Sequence, residues 1–236
     1  MSMRIETSEA PWLRLLSRWA LGTALLYIAL LLVYIVGVGF DELAGAARNP
    51  AAYRLGAGLD SLVWLGIGGI LFAFAGAFVR LAPLRASLLA VCGIGQLAGV
   101  LGGFLRLSAV GELAARHAAA SVDQQVVLAQ IHQSLLQMVM AHYGAAGLLG
   151  GPGFLLVASL GLSVGWFPRC LAIWCALAGT WQIAGFLTTV AGSSVLMALY
   201  PVYALGGGIG LELAIAAAFW RRAAISVTQP APAPVA

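Results

Sequence analysis

WALGTALLYIALLLVYIVGVGF, Trp19–Phe40, decides the fold: 22 consecutive residues without a formal charge. A hydrocarbon core of about 30 Å needs about 20 helical residues to cross it, so this stretch reads as a transmembrane helix. Arg4, Arg14 and Arg18 precede it, as they would a secretory signal. A signal's apolar region is only about 7–15 residues long, so the segment is expected to be a retained first helix.

The same reading extends down the chain. Uncharged stretches recur at Ser61–Val79 and Ala86–Leu105, in a long segment from Ser134 to Trp166, and at Cys170–Ala191, and Val195–Trp220 carries only one formal charge, Glu212. The expectation is an all-α, polytopic membrane protein with six transmembrane helices over about 19–40, 61–79, 86–105, 134–166, 170–191 and 195–220. Residues 1–18 would form a cytoplasmic and interfacial N-terminus, with Trp12 and Trp19 as headgroup anchors. Residues 223–236, ending QPAPAPVA, would form a disordered tail.

Composition agrees. The chain is 62% hydrophobic and 8% charged, with a mean hydropathy of +0.99; a soluble domain is about a quarter charged. All twelve basic residues are arginine, which suggests a GC-rich bacterial genome and so the plasma (inner) membrane of a bacterium. The arginines are scattered without a basic stripe, which gives no support to nucleic-acid binding. With six spans and both termini cytoplasmic, eight arginines lie inside and Arg48, Arg54, Arg106 and Arg116 lie outside, as the positive-inside rule requires. Cys92, Cys170 and Cys175 form no CxxC pair and read as small hydrophobes.

Between spans, the inner connections are short, and the outer ones at Asp41–Asp60 and Leu107–Asp123 read as long loops. Ser121-Val122-Asp123-Gln124 reads as a capping box that opens the fourth helix outside the bilayer. Gly150-Gly151-Pro152-Gly153 should kink that helix, either by packing or as the wall of a cavity. Pro201 and Gly206–Gly210 should do the same in the sixth, the glycines serving close packing.

Glu212 is the only carboxylate inside any long apolar segment. At that depth an ionisable group faces a bundle interior or a wet cavity, because lipid penalises it by several kcal/mol. Counting residues from the inner helix ends puts Gln96, Gln182 and Glu212 at roughly 15, 18 and 12 Å depth. The three are expected to meet near the midplane, either as a hydrogen-bonded clasp or as a ligand or proton site built on the acid. Nearer the outer face stand Asp60, Trp64, His142 and Tyr143, with Asp60 read as the N-cap of the second helix. His132 and His142 share one helix about 15 Å apart and cannot clamp one haem iron. No HExxH, Walker or GxSxG motif is present, and neither a metal nor a cofactor is implied.

Three segments carry a resemblance: Tyr53-Arg54-Leu55-Gly56-Ala57-Gly58-Leu59-Asp60, Trp166-Phe167-Pro168-Arg169-Cys170-Leu171, and Glu212-Leu213 ahead of Trp220. Together they resemble a bacterial integral-membrane family catalogued as domain of unknown function 4386, over roughly Trp19–Arg222. The resemblance implies a six-helix membrane protein and favours Glu212 as its site; it implies no activity. This chain departs from that pattern at Cys170-Leu171-Ala172, where a glycine-containing helix start is replaced.

Three functions stay open on sequence. The first is a small carrier or ligand-binding bundle taking a small hydrophobic ligand or a proton at Glu212. The second is an accessory subunit docking a membrane-protein partner, or a further copy of itself, through its outer loops. The third is an enzyme acting on a lipid or isoprenoid. Membrane lipids are expected partners in every case.

Overall fold

A computed structural model of the chain describes residues 10–39, 42–191 and 200–228. Every regular element among them is helical. Five helices are long and apolar enough to cross a membrane: Pro11–Val38, Pro50–Phe78, Pro83–Ala119, Val122–Ser163 and Arg169–Val190. A shorter apolar helix covers Ala204–Trp220, and residues 195–199 of the expected sixth span lie outside the described residues. The chain is a multi-pass membrane protein by this measure, and its outer surface agrees: Leu25, Val91, Leu101, Phe104, Ile173 and Leu177 are all exposed.

The first helix, α1 (Ala10–Leu32), runs on into a π-helical turn, Val33–Val38. A short α2 (Glu42–Arg48) precedes α3 (Pro50–Phe78). The third span is α4 (Pro83–Gly95) and α5 (Leu97–Leu105), broken at Gln96, then a π-helical turn at Arg106–Val110 and α6 (Gly111–Ala119). The longest helix, α7 (Val122–Ser163), and α8 (Arg169–Val190) follow. Then come α9 (Tyr200–Tyr203), a third π-helical turn (Ala204–Gly210) and α10 (Leu211–Thr228).

The spans close into a ring in chain order. α1 packs on α3, α3 on α4 and α5, these on α7, and α7 on α8; α10 returns to pack along α1. Ser17 Oγ donates to the Ala216 carbonyl at 2.9 Å and ties that closure. The ring is stopped at one end by five aromatic side chains, Phe74, Phe78, Trp166, Phe167 and Phe219, with neighbouring centroids 5.5–6.2 Å apart. Offset and edge-on aromatic contacts of this kind add about 0.5–1.5 kcal/mol each beyond area burial.

Several boundaries differ from the sequence reading. α1 begins at Ala10, and Leu13 and Leu16 are buried in the core, so the segment read as interfacial is its opening turns. Trp19 is no headgroup anchor: its Nε1 donates to the Gly66 carbonyl at 2.8 Å. α3 starts at Pro50, eleven residues before the expected span, with the Asn49 side chain capping Ala52 N–H at 3.1 Å. Asp60 is therefore a mid-helix residue and not an N-cap.

The two stretches read as long outer loops fold instead as helices. α2 and α6 pack together around Val38, Ala46, Tyr53, Val110 and Ala114, forming a cap over the end of the ring opposite the aromatic stop. α10 continues to Thr228, past the expected start of the tail, and residues 229–236 lie outside the described residues.

One local expectation stands. The capping box at Ser121 and Gln124 opens α7 with both of its hydrogen bonds. The glycines around Pro152 serve close packing: a Cβ on Gly151 would lie 2.8 Å from the Gly179 carbonyl oxygen of α8, so only glycine lets the two helices approach there.

Candidate functional site

The ring encloses a cavity of about 440 Å³ bounded by α1, α3, α7, α8 and the last helical segment. Its wall is largely aliphatic and aromatic, and its charged residues are Glu42, Asp60, Arg106 and Glu212. All three π-helical turns among the described residues contribute to it, through Tyr34 and Ile35, Arg106, and Gly207 and Gly208. A π-turn widens a helix locally and re-aims its side chains, which is why such turns gather at functional sites.

The mouth of the cavity, under the cap, is built on Arg106. Its Nε lies 3.1 Å from Glu42 Oε1 and its Nη2 3.3 Å from Glu42 Oε2, a two-point grip. Its Nη1 lies 3.4 Å from Asp60 Oδ2. Tyr53 donates to Glu42 at 2.9 Å, and Tyr143 donates to Asp60. The guanidinium also lies 5.8 and 5.7 Å from the Tyr34 and Tyr143 ring centroids. Trp64 stacks on Tyr143 with centroids 5.3 Å apart. Four elements thus converge on one cation that two carboxylates already face.

Three of the four outer-face candidates therefore meet: Asp60, Trp64 and Tyr143 belong to one cluster. His142 does not join it. Its Nδ1 pairs with the Met138 carbonyl 2.7 Å away on its own helix, and the residue is not part of the cavity wall. Arg106, Glu42 and Tyr53 escaped the sequence reading as site residues. Arg106 looked like a span-end charge, and Glu42 is 64 residues from it, so no local pattern links them.

Deeper in the ring, Gln96 is fully buried at the break between α4 and α5. Its Nε2 donates to the Ala146 carbonyl at 3.2 Å and to Gln182 Oε1 at 3.3 Å. Gln182 in turn donates to the Tyr203 hydroxyl at 3.3 Å, and Tyr203 stacks on Trp181 with centroids 5.3 Å apart. The expected meeting of Gln96 and Gln182 is present, but its third member is Tyr203 rather than Glu212. Gly150 makes room for this clasp, since a Cβ there would overlap the Gln96 amide.

Glu212 stands apart from that clasp. It is 4% exposed, it lines the cavity with Gln182, and its Oε2 has no hydrogen-bond partner among the described residues. Its level follows from its neighbours. Tyr27 lies against Gly208, where a Cβ would run into the tyrosine ring, and Tyr34 lies beside Arg106. Seven residues of α1 and four of the last helical segment therefore separate Arg106 from Glu212, about 16 Å at 1.5 Å per residue. The acid sits toward the stopped end, and the ion-paired cluster forms the mouth.

Among the described residues no three His, Cys, Asp or Glu side chains stand close enough to share a metal ion. What the arrangement offers is a mostly apolar chamber with a protonatable group at depth and a fixed polar rim. No family model matches the chain, and no curated protein or solved structure matches it either.

Proposed function

We propose that this chain is a small ligand-binding membrane bundle, of the carrier type, whose interior chamber receives a small and largely apolar molecule at Glu212. One observation carries the reading: Glu212, 4% exposed and with one oxygen unpartnered among the described residues, faces an interior cavity of about 440 Å³. A buried polar group without a partner costs about 1–3 kcal/mol, so a group whose only purpose was packing would be expected to find one. A scaffold would pair Glu212 with Gln96 or Gln182; the Gln96 Nε2 instead donates to Gln182, and the Gln182 Nε2 to Tyr203. Cavities of about 300–1,000 Å³ with few polar groups are the usual form of a small-molecule site. Acid catalysis on a lipid is supported less, because Asp60 is held by Arg106 and Tyr143 rather than by Glu212, so the two acids form no working pair.

Six spans, cytoplasmic termini, a bacterial plasma membrane and membership of the family resembled by the Tyr53–Asp60, Trp166–Leu171 and Glu212–Trp220 segments belong to the same proposal. The arginine distribution supports the orientation, with the cap and cavity mouth on the outer side.

A hydrophobic carbodiimide tests the site, because it modifies protonated carboxyls in apolar surroundings. Applied to the folded protein in detergent micelles, it should form an N-acylurea at Glu212, located by peptide mass spectrometry. An unmodified Glu212 in the intact fold would remove the ligand-chamber reading.

A further inference from the structure

The charges in the wall are unbalanced. Glu42, Asp60 and Glu212 face the chamber against a single cation, Arg106. Arg106 is gripped by Glu42 and Asp60 together, so an incoming anion meets no free positive group. Among the described residues of the wall no second cation stands by Glu212, and its Oε2 has no hydrogen-bond partner there. The rings of Tyr34 and Tyr143 already face the Arg106 guanidinium, and the wall presents further π systems in Tyr27, Trp181 and Tyr203. Aromatic faces attract cations by about 0.5–2 kcal/mol each, the more so where water is excluded. The Trp181–Tyr203 pair is held nearly parallel, at 5°, and fixed by the Gln182 hydrogen bond.

We infer that the chamber takes a lipophilic organic cation, which displaces the proton of Glu212. The inference rests on the ligand-binding reading above and names its substrate class. The exchange starts from Glu212 carrying its proton in the empty chamber. When an organic cation enters, the O–H bond of Glu212 breaks, the proton leaves to bulk water, and the carboxylate pairs with the cation. No other bond changes, and charge is conserved inside the chamber. The other titratable or charged groups facing the chamber are Tyr27, Tyr34, Tyr143, Tyr203, Glu42, Asp60 and Arg106. Glu42, Asp60 and Arg106 already neutralise one another in part at the mouth, which leaves Glu212 as the carboxyl free to exchange. Its sign is set: proton and cation compete, so binding weakens as pH falls.

The purified full chain in detergent micelles is titrated with tetraphenylphosphonium, and with tetraphenylborate as an anion of the same shape. The phosphonium ion should bind saturably with release of about one proton per cation, its affinity rising with pH by up to about tenfold per unit. Tetraphenylborate should show micelle partitioning only. Glu212→Gln should weaken phosphonium binding about tenfold or more and abolish proton release, as loss of a buried charge partner entails, while Glu212→Asp should retain both. Equal phosphonium binding by wild type and Glu212→Gln, or saturable binding of the borate at this site, overturns the inference. Absence of saturable phosphonium binding where the carbodiimide still modifies Glu212 overturns the cation class alone. Absence of both reactions overturns the chamber itself.

Discussion

Arg106→Met removes the one cation at the cavity mouth and keeps most of the side chain's length. Arg106 faces Glu42 at 3.1 Å and Asp60 at 3.4 Å, with side-chain exposures of 18%, 17% and 9% for the three groups. At an effective dielectric of about 20, each pair attracts by about 5 kcal/mol. Most of that is offset by the cost of taking three charges out of water. The substitution leaves two carboxylates near each other without a counter-charge, and breaking a buried pair in this way costs about 3–5 kcal/mol. The partial exposure of Glu42 and Arg106 places the expected loss near the lower end, about 3 kcal/mol. Neutralising the orphaned acids should recover most of it, so the triple variant Glu42→Gln, Asp60→Asn, Arg106→Met should stand within about 2 kcal/mol of the parent. Unfolding in mixed micelles of increasing sodium dodecyl sulfate fraction, followed by tryptophan fluorescence, measures all of these. A loss under about 1 kcal/mol for Arg106→Met, or a triple variant no more stable than the single, would refute the account of the mouth as a charge-compensated cluster.

Other outcomes follow from single contacts. Gly150→Ala places a methyl group on the Gln96 amide and should cost about 1–3 kcal/mol in the same unfolding assay; a neutral result would mean that the clasp repacks freely. Tyr143→Phe deletes the donor to Asp60 and should cost about 1–3 kcal/mol, because it leaves a buried acceptor short of a partner. Asn49→Ala removes the cap of α3 and should cost about 1 kcal/mol by thermal unfolding. Cys170, exposed at the start of α8, should resist a membrane-impermeant maleimide in right-side-out vesicles and react in inverted ones; the opposite pattern would reverse the orientation.

The legibility of this chain depended on whether the decisive contacts were local. Apolar length marked the spans, and the Ser121–Gln124 capping box lies within four residues, so both could be read directly. Residue counting along straight helices put Gln96 and Gln182 at one level, and they meet. The count could not say which way the Glu212 side chain turns, and the π-helical turn just before it alters the facing of that helix. Tyr203, on the other side of that turn, takes the expected place in the clasp. Asp60 was misread because Tyr53, Arg54, Gly56 and Gly58 look like loop residues, although Asn49-Pro50 already carries a helix-start signal. Tyr53 is fully buried under the cap, and its partner Glu42 belongs to a helix too short to show a period. The Arg106 cluster joins residues far apart in the chain, which only the closed ring brings together.

The stack of Phe74, Phe78, Trp166, Phe167 and Phe219 makes the vessel blind at one end. The five rings come from three separate parts of the chain, α3, the α7–α8 link and α10, so they part only if those parts move. Passage to the far side would therefore demand a concerted tilt of helices rather than the flip of one side chain. On the ligand-binding proposal, any through-traffic requires a second conformation in which these rings separate.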